Sequence, residues 1–325
     1  MLQVWWLGVI LIAIGSLSSA VGLLLMKKSA DTEEHLSLLH RRTWMLGFVF
    51  LVVNATIIDL FAFSMTPLAL IAPFSGLTIV FCTLLAQSGW LYKKEDITLF
   101  QWLAIAIVFV GVVTISTAGP HSSTRVTEES LKLLSQNKSF MVFGACSAFS
   151  IVSSVLCWIA QVHHDGDSVQ PSHAITFNLA MGAASCGAMS QLCLKIVSTG
   201  LSDAIDGLAF AKPHAVALVG LIAFAPLQLL LLNSTLTNSP VVFAVPLYQT
   251  LLILLTILAG GIFFDEFDQL ENTWEIVFAG GVISSIGGLL ALSVGTKNSA
   301  AAAETRKLLR PPLEPLKGHS YLSEA

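Results

Sequence analysis

The sequence predicts an all-α polytopic membrane protein, with nine transmembrane helices arranged as two inverted repeats. Three observations carry this. Of 325 residues, 55% are hydrophobic and only 11% charged, against roughly 25% charged in a soluble domain. The apolar residues gather into nine nearly uncharged runs of 18 to 24 residues, each long enough for a helix to cross ~30 Å of hydrocarbon. Paired prolines then recur at equal spacing in the two halves of the chain.

The runs follow in order. The first, Val4–Met26, has no positive segment before it and reads as a retained span rather than a cleaved signal. Trp44–Met65 contains Asp59, and Leu68–Trp90 starts behind Pro67. Leu99–Thr117 and Phe140–Ala160 are the fourth and fifth. Ala174–Val197 holds a crowd of small residues, Gly182 to Ala188, which permit close helix approach. Ala215–Leu232, Val241–Phe263 (behind Pro240) and Ile276–Val294 complete the set. Of all Asp, Glu, Lys and Arg residues, only Asp59 and Lys195 fall inside a run. The expected organisation is a first repeat over 4–118, a linking loop with span five over 119–172, a second repeat over 173–294, and a disordered cytosolic tail over 295–325.

Composition excludes several functions. No stretch outside the runs reaches the ~40 residues below which a domain seldom folds unaided, so no soluble catalytic domain is expected. No G-x-x-x-x-G-K-[ST] appears, which removes a phosphate-cradling loop and with it ATP-driven pumping. A net charge of −4 argues against nucleic acid as partner. All five cysteines lie inside runs and read as small apolar packing residues. Alternate loops hold eleven and five Lys plus Arg residues. By the positive-inside bias, the N-terminus is outside or lumenal and the C-terminus cytosolic.

The repeat is read from motifs. Pro67-Leu-Ala-Leu-Ile-Ala-Pro73 matches Pro240-Val-Val-Phe-Ala-Val-Pro246, and each run ends in an acidic cluster that leads into a Trp- and Gly-bearing span. Gly22 to Lys28 matches Gly187 to Lys195. Spans one to four thus pair with spans six to nine, an odd offset, so the copies have opposite topology. Inverted repeats of this kind are a transporter signature, with the site near the midplane. Pro73 and Pro246 lie about two turns inside their spans, where each frees a backbone carbonyl. In lipid such a carbonyl must face a cavity or a neighbouring helix.

The candidate binding residues are the polar groups of these spans. An ionised carboxylate at the bilayer centre costs on the order of 2.5–3.5 kcal/mol, so Asp59 should turn inward to water, an ion or a base. Lys195 is the one base within the spans. Thr56 shares the Asp59 face, with Asn54 about a turn and a half earlier on a neighbouring face. Gln228 and Asn233 in span seven, Tyr248 and Gln249 in span eight, and Asn178 and Gln191 in span six are amides and hydroxyls that need partners. A shared cavity or simple interhelical bonding would satisfy them. Lys28 and Lys195 end equivalent helices, where they either snorkel to the interface or gate the cavity. In the eighth loop Asp265, Glu266, Asp268 and Glu271 form a basic-free acidic mouth that would concentrate cations. Glu304, Leu308 and Leu309 have the form of an acidic-dileucine sorting signal.

The run Gly22 to Ser29, the Phe63–Pro67 and Pro73–Gly76 stretches, Ser190 to Lys195, and Gln228-x4-Asn233 followed by Val245-Pro246-Leu-Tyr248 resemble the NIPA family of magnesium transporters, in the drug/metabolite transporter superfamily. The resemblance implies nine spans, two inverted halves and Mg²⁺ movement, with other divalent cations passed by some members. The chain departs from it twice. Thr56-Ile57-Ile58-Asp59 stands where the family typically reads acidic-Val-Ala-Asn, and Leu230 stands where a second amide is common. One carboxylate with amide, hydroxyl and carbonyl oxygens suits a partly hydrated Mg²⁺, and no span offers the close His or thiolate pairs that zinc or copper would call for. Membrane potential supplies about 2 × 2.3 kcal/mol per 100 mV for such an ion.

The function expected is therefore transmembrane transport of Mg²⁺, with other divalent cations as further cargo, through a midplane site between the inverted repeats, driven by membrane potential or gradient, in the plasma or an endosomal membrane. No cofactor is expected, since Mg²⁺ is the cargo; the bilayer and a homodimeric copy are the other partners considered. A carrier of a small organic solute on the same fold is the alternative. An intramembrane enzyme would need a partner acid, nucleophile or metal triad that the spans lack, and a receptor or scaffold would not need an inverted repeat.

Overall fold

A computed structural model describes residues 5–33, 40–91, 94, 97–120, 137–163, 173–205, 212–238, 241–270 and 272–308. Among these the regular structure is helical, with no strand. The main helices are α1 (Trp5–Thr32), α2 (Arg42–Val53), α3 (Asp59–Met65), α4 (Leu68–Ile71), α5 (Leu77–Ser88) and α6 (Leu99–Ala118). After them come α7 (Lys138–His163), α8 (His173–Ile205), α9 (Lys212–Asn238), α10 (Val241–Phe263) and α11 (Asn272–Leu308).

Seven helical stretches are long and apolar enough to cross a membrane: Trp5–Ser29, Leu68–Ser88, Leu99–Ala118, Lys138–Gln161, Ala174–Ser202, Lys212–Leu236 and Thr273–Leu292. The other two of the nine expected runs give shorter apolar helices, Arg42–Leu51 and Leu247–Phe263. For the second run the reason is local. A π-turn at Asn54–Ile58 separates α2 from α3, an irregularity often found at functional sites.

The third run is interrupted as well. α4 gives way to a 3-10 segment, Ala72–Gly76, before α5 begins. Pro73 lies at the start of that segment, where its missing N–H and ring clash disfavour a continued α-turn. α5 stops at Gly89, whose φ of 67° is the left-handed conformation that favours glycine at a helix C-terminus. α6 starts on a capping box, with Thr98 and Gln101 each satisfying the other's backbone N–H.

Small residues set the closest helix crossings. α6 and α11 pack along Gly111, Gly281 and Gly288: a Cβ on Gly111 would lie 2.8 Å from the Gly281 carbonyl oxygen, and one on Gly288 would lie 2.8 Å from the Val108 nitrogen. α1 and α2 meet reciprocally, Gly22 against the Gly47 carbonyl and Gly47 against the Gly22 carbonyl. α8 is the central helix, packed by α3, α7, α9 and α10. Its apolar window is 78% buried, against 11% for that of α9. The small residues Ala183, Ala184, Cys186 and Ala188 of α8 are wholly enclosed, which is what lets so many neighbours approach.

The expected disordered tail is corrected over its first part. α11 continues through residue 295 to Leu308, carried by Ala300–Ala303, the strongest helix former in a row. Residues 309–325 lie outside the described residues, Leu309 among them, as do the side chains of Glu304 and Leu308.

Candidate functional site

Asp59 opens α3 directly after the π-turn. The wider turn changes its neighbours. Asn54, expected on an adjacent face, is brought under Asp59: Asn54 Nδ2 donates to Asp59 Oδ2 at 3.5 Å and to Ser19 Oγ at 2.8 Å. A π-turn closes on the fifth residue, so residues 54 and 59 stack where an α-helix would part them. Asn54 is buried, and its Oδ1 has no hydrogen-bond partner. It lies against Gly15, the residue whose missing side chain leaves room for it. The amide thus turns its Nδ2 to the carboxylate and its Oδ1 to Gly15, and a buried acceptor left without a donor is a place where a cation or water would be welcome. The Thr56 side chain lies outside the described residues.

A second polar group forms at the break in the third run. Ser16 Oγ donates to the Phe74 carbonyl at 3.1 Å. From the opposite side, Gln249 Nε2 donates to Ser75 Oγ at 2.6 Å, and Ser75 Oγ donates to the Ala72 carbonyl at 2.7 Å. The 3-10 segment is thus held between α1 and α10. On α10 the neighbouring Tyr248 accepts a hydrogen bond from Gln228 of α9 at 2.5 Å, and Gly187 of α8 makes room for the Gln228 amide. Three polar groups result: Asp59, Asn54 and Ser19; Ser16, Ser75 and Gln249 about the 3-10 segment; and Tyr248 with Gln228. Ser16 and Ser19, three apart on α1, set the first two along one helix face and make a polar belt around Asp59 the candidate site. Pro246 lies within α10, its side chain outside the described residues.

Several candidates sit elsewhere. Asn178 is committed to α7: its Oδ1 accepts from Ser153 Oγ at 3.2 Å, and its carbonyl accepts from Ser154 Oγ at 2.6 Å. It ties two helices together. Asn233 is exposed, because α9 meets its neighbours along another face, through Ala217, Leu231 and Thr235. Gln191 keeps a buried Oε1 with no hydrogen-bond partner.

The acidic mouth is corrected at Glu266. Asp265 and Asp268 are exposed, and Glu271 lies outside the described residues, but Glu266 is only 3% exposed. Its carboxylate accepts from the Leu68 and Ala69 backbone N–H groups, both at 2.7 Å, so it caps α4. Burial pushes its pKa up, while Lys195 and these two N–H groups pull it down. Burial and Asp268 raise that of Asp265.

Lys195 neither snorkels nor pairs with Asp59. It is 2% exposed, donates to the Thr66 carbonyl, and is near enough to Glu266 for each charge to act on the other. Lys28 is half-buried near the opposite end of the bundle; beside it Ser29 and Thr43 bond Glu33, which joins α1 to α2.

Sequence reasoning missed Ser16, Ser19, Ser75 and Thr66. Ser16 and Ser19 stand three apart, hence on one helix face, and that was the available signal. Lone hydroxyls are common in apolar helices, so it was weak.

The chain matches the family model described as "Magnesium transporter NIPA" over residues 3–298. It is 23% identical over 280 residues to the "Probable magnesium transporter NIPA5" of Arabidopsis thaliana, covering 83% of this chain and 69% of that protein. It is 22% identical over 253 residues to the "Probable magnesium transporter NIPA3" of the same plant, covering 77% of this chain and 65% of that protein. No solved structure matches the chain.

Proposed function

The chain belongs to the NIPA magnesium transporter family, and from that premise we propose that it is a carrier of Mg²⁺ whose ion site is the polar belt around Asp59. The protein is an integral, multi-pass membrane protein of a transporter family rather than an enzyme. The observation that carries the site is the π-turn pair: the Asp59 carboxylate accepts from the amide of buried Asn54, whose Oδ1 has no hydrogen-bond partner. Mg²⁺ prefers a few hard oxygens and retains several waters. The carboxylate, the Asn54 amide oxygen and the hydroxyls of Ser19 and Ser75 are of that chemistry. Other divalent ions of similar hardness, Mn²⁺ first, are the expected competitors.

The inverted, nine-span arrangement is part of the same reading. The two shorter apolar helices complete the nine, as spans two and eight. Contacts repeat between the halves: α1 packs on α2 and α5, as α8 packs on α9 and α10, while α6 and α11, the fourth and ninth spans, pack on each other. The charge bias places the N-terminus outside or lumenal and the C-terminus in the cytosol, in the plasma or an endosomal membrane. The membrane potential then favours entry into the cytosol. Repeats over 4–118 and 173–294, joined by 119–172, remain the proposed division.

The test is ion uptake into liposomes holding the purified chain. Asp59→Asn keeps size and removes charge; Mg²⁺ uptake should vanish while the protein remains folded by its helical spectrum. Wild-type uptake by this variant refutes the site. Equal uptake of Mg²⁺ and a neutral metabolite by the unaltered protein refutes the cargo.

A further inference from the structure

The hydrogen bonds of Asn54 fix which way round its amide sits. Nδ2 donates to Ser19 Oγ at 2.8 Å and to Asp59 Oδ2 at 3.5 Å, as it must, since an ionised carboxylate accepts and cannot donate. The oxygen end is thereby turned away from Asp59. Asn54 is 7% exposed, and its Oδ1 has no hydrogen-bond partner among the described residues. Buried acceptors are as a rule satisfied, so this one calls for a reason.

Two residues of α1 frame the amide. Gly15 and Ser19 stand four apart, hence on one helix face. Ser19 lies at the nitrogen end. Gly15 is buried at the oxygen end, where a Cβ would lie 2.3 Å from Asn54 Oδ1 and 3.3 Å from its Cγ. A serine hydroxyl both donates and accepts, so Ser19 can bond whichever end of the amide it meets. It accepts from Nδ2 as the amide now stands and would donate to Oδ1 were the amide reversed. An amide fixed in one orientation would be better served by a donor to Oδ1. A gap at one end and a two-way partner at the other suit an amide that uses both.

We propose that the Asn54 amide turns over when a divalent cation binds Asp59, and that Gly15 is the positioning residue that leaves it room to do so. The proposal rests on the transport reading above. As it stands, the amide offers its N–H end to a bare carboxylate. A cation on that carboxylate reverses the demand, repelling the N–H end and attracting the oxygen. Half a turn about the Cβ–Cγ bond exchanges the two without moving the backbone, and this torsion is broad and roughly two-fold in asparagine. The 3.5 Å from Nδ2 to Asp59 Oδ2 then becomes the spacing of two oxygens. Mg²⁺ takes its oxygens at about 2.0–2.1 Å, so one ion can touch both. Ser19 keeps its bond by donating to Oδ1. The N–H end comes to lie over Gly15, where a residue without a side chain leaves space.

The experiment measures Mg²⁺ binding by calorimetry on the full chain in detergent, beside uptake into liposomes. Asn54→Leu should weaken binding roughly tenfold or more, as loss of a group that supports a bound metal does. An amide that served the bare carboxylate alone would compete with the ion, so equal or tighter binding by Asn54→Leu overturns the proposal. Gly15→Ala should also weaken binding roughly tenfold or more, because the added methyl crowds the larger N–H end more than the oxygen. Its control is Gly22→Ala, whose Cβ would press on α2 in the same way, 2.7 Å from the Gly47 carbonyl oxygen. That variant should melt lower with its Mg²⁺ affinity unchanged; equal affinities for the two alanine variants overturn the role of Gly15. A spectroscopic arm needs no change of packing. In the unaltered chain labelled with ¹³C-asparagine, Mg²⁺ should shift a side-chain carbonyl stretch in the infrared. The shifted band should be missing from Asn54→Asp, which keeps oxygens for the ion. No shift in a chain that has bound Mg²⁺ overturns the turning. Binding with the shift but no uptake by the unaltered chain sinks the transport reading and leaves the amide switch standing. Uptake without the shift does the reverse, and a chain that neither binds nor moves Mg²⁺ loses both.

Discussion

Replacing Gly111 by alanine probes the close crossing between α6 and α11. The added Cβ would lie 2.6 Å from the Ser285 nitrogen and 2.8 Å from the Gly281 oxygen. Carbon contacts settle near 3.5–4.0 Å, so the helices must part by most of an ångström. The nearest atoms include helix backbone, which cannot rotate aside as a side chain would. A gap of 0.5–1 Å forfeits a quarter to a half of each contact's well, felt along Ala104, Val108, Val112 and Ile115 on one helix and Val282, Leu289 and Leu292 on the other. Overpacking of this kind costs about 1–3 kcal/mol. Alanine also gains about 0.5–1 kcal/mol over glycine within a helix, so matched controls are needed. Gly280 and Gly287 supply them: on the partner helix α11, a Cβ at either meets nothing within 4 Å. In detergent, Gly280→Ala and Gly287→Ala should melt at or slightly above the unaltered protein. Gly111→Ala and Gly281→Ala should melt below those controls by about 2–12 °C, taking 2–4 °C per kcal/mol. Equal melting temperatures for Gly281→Ala and Gly280→Ala would refute the crossing, since the two positions are adjacent and differ only in what they face.

Asn54→Ala should cut Mg²⁺ uptake at least tenfold, whereas Asn233→Ala, on the exposed face of α9, should leave it unchanged; the same liposome assay reads both. Asn178→Ala removes bonds between α7 and α8 and should lower the melting temperature by the equivalent of ~1 kcal/mol with the Mg²⁺ affinity preserved. Tyr248→Phe deprives Gln228 of its acceptor and should destabilise by about 1–3 kcal/mol, a loss that Gln228→Leu in the same chain should partly recover. The hydrogen bond from Ser29, followed by those from Thr43, holds the Glu33 pKa below the ordinary glutamate range. A depressed carboxylate stabilises above its unfolded pKa and loses that contribution as pH falls through the folded one. Exchange of the Thr43 amide, corrected for its intrinsic rate, should therefore rise below the ordinary glutamate pKa, and Glu33→Gln should abolish that rise.

The sequence by itself determined what depends on local composition. Apolar length and scarcity of charge made the chain helical and membrane-bound, because an unpaired backbone in lipid leaves helices as the available solution for such runs. Asp59 stood out for the same reason, as the lone acid in apolar surroundings, and Pro73 marked the place where the third run changes its helix type. What the sequence left open was direction. In a soluble helix the buried face is apolar and the outer face polar. A helix in lipid is apolar on both, so nothing local separates the inward Gln228 from the outward Asn233, five residues later on the same helix. Spacing rules also assumed an α-turn; the π-turn moved Asn54 beneath Asp59 and made a pair of two residues read on different faces. Glu266 shows the limit most plainly. Among Asp265, Asp268 and Glu271 it read as one more solvated acid. Only the tertiary structure brought it to the Leu68 and Ala69 N–H groups, some two hundred residues earlier, because a carboxylate taken out of water must find donors, and these were waiting at the start of another helix.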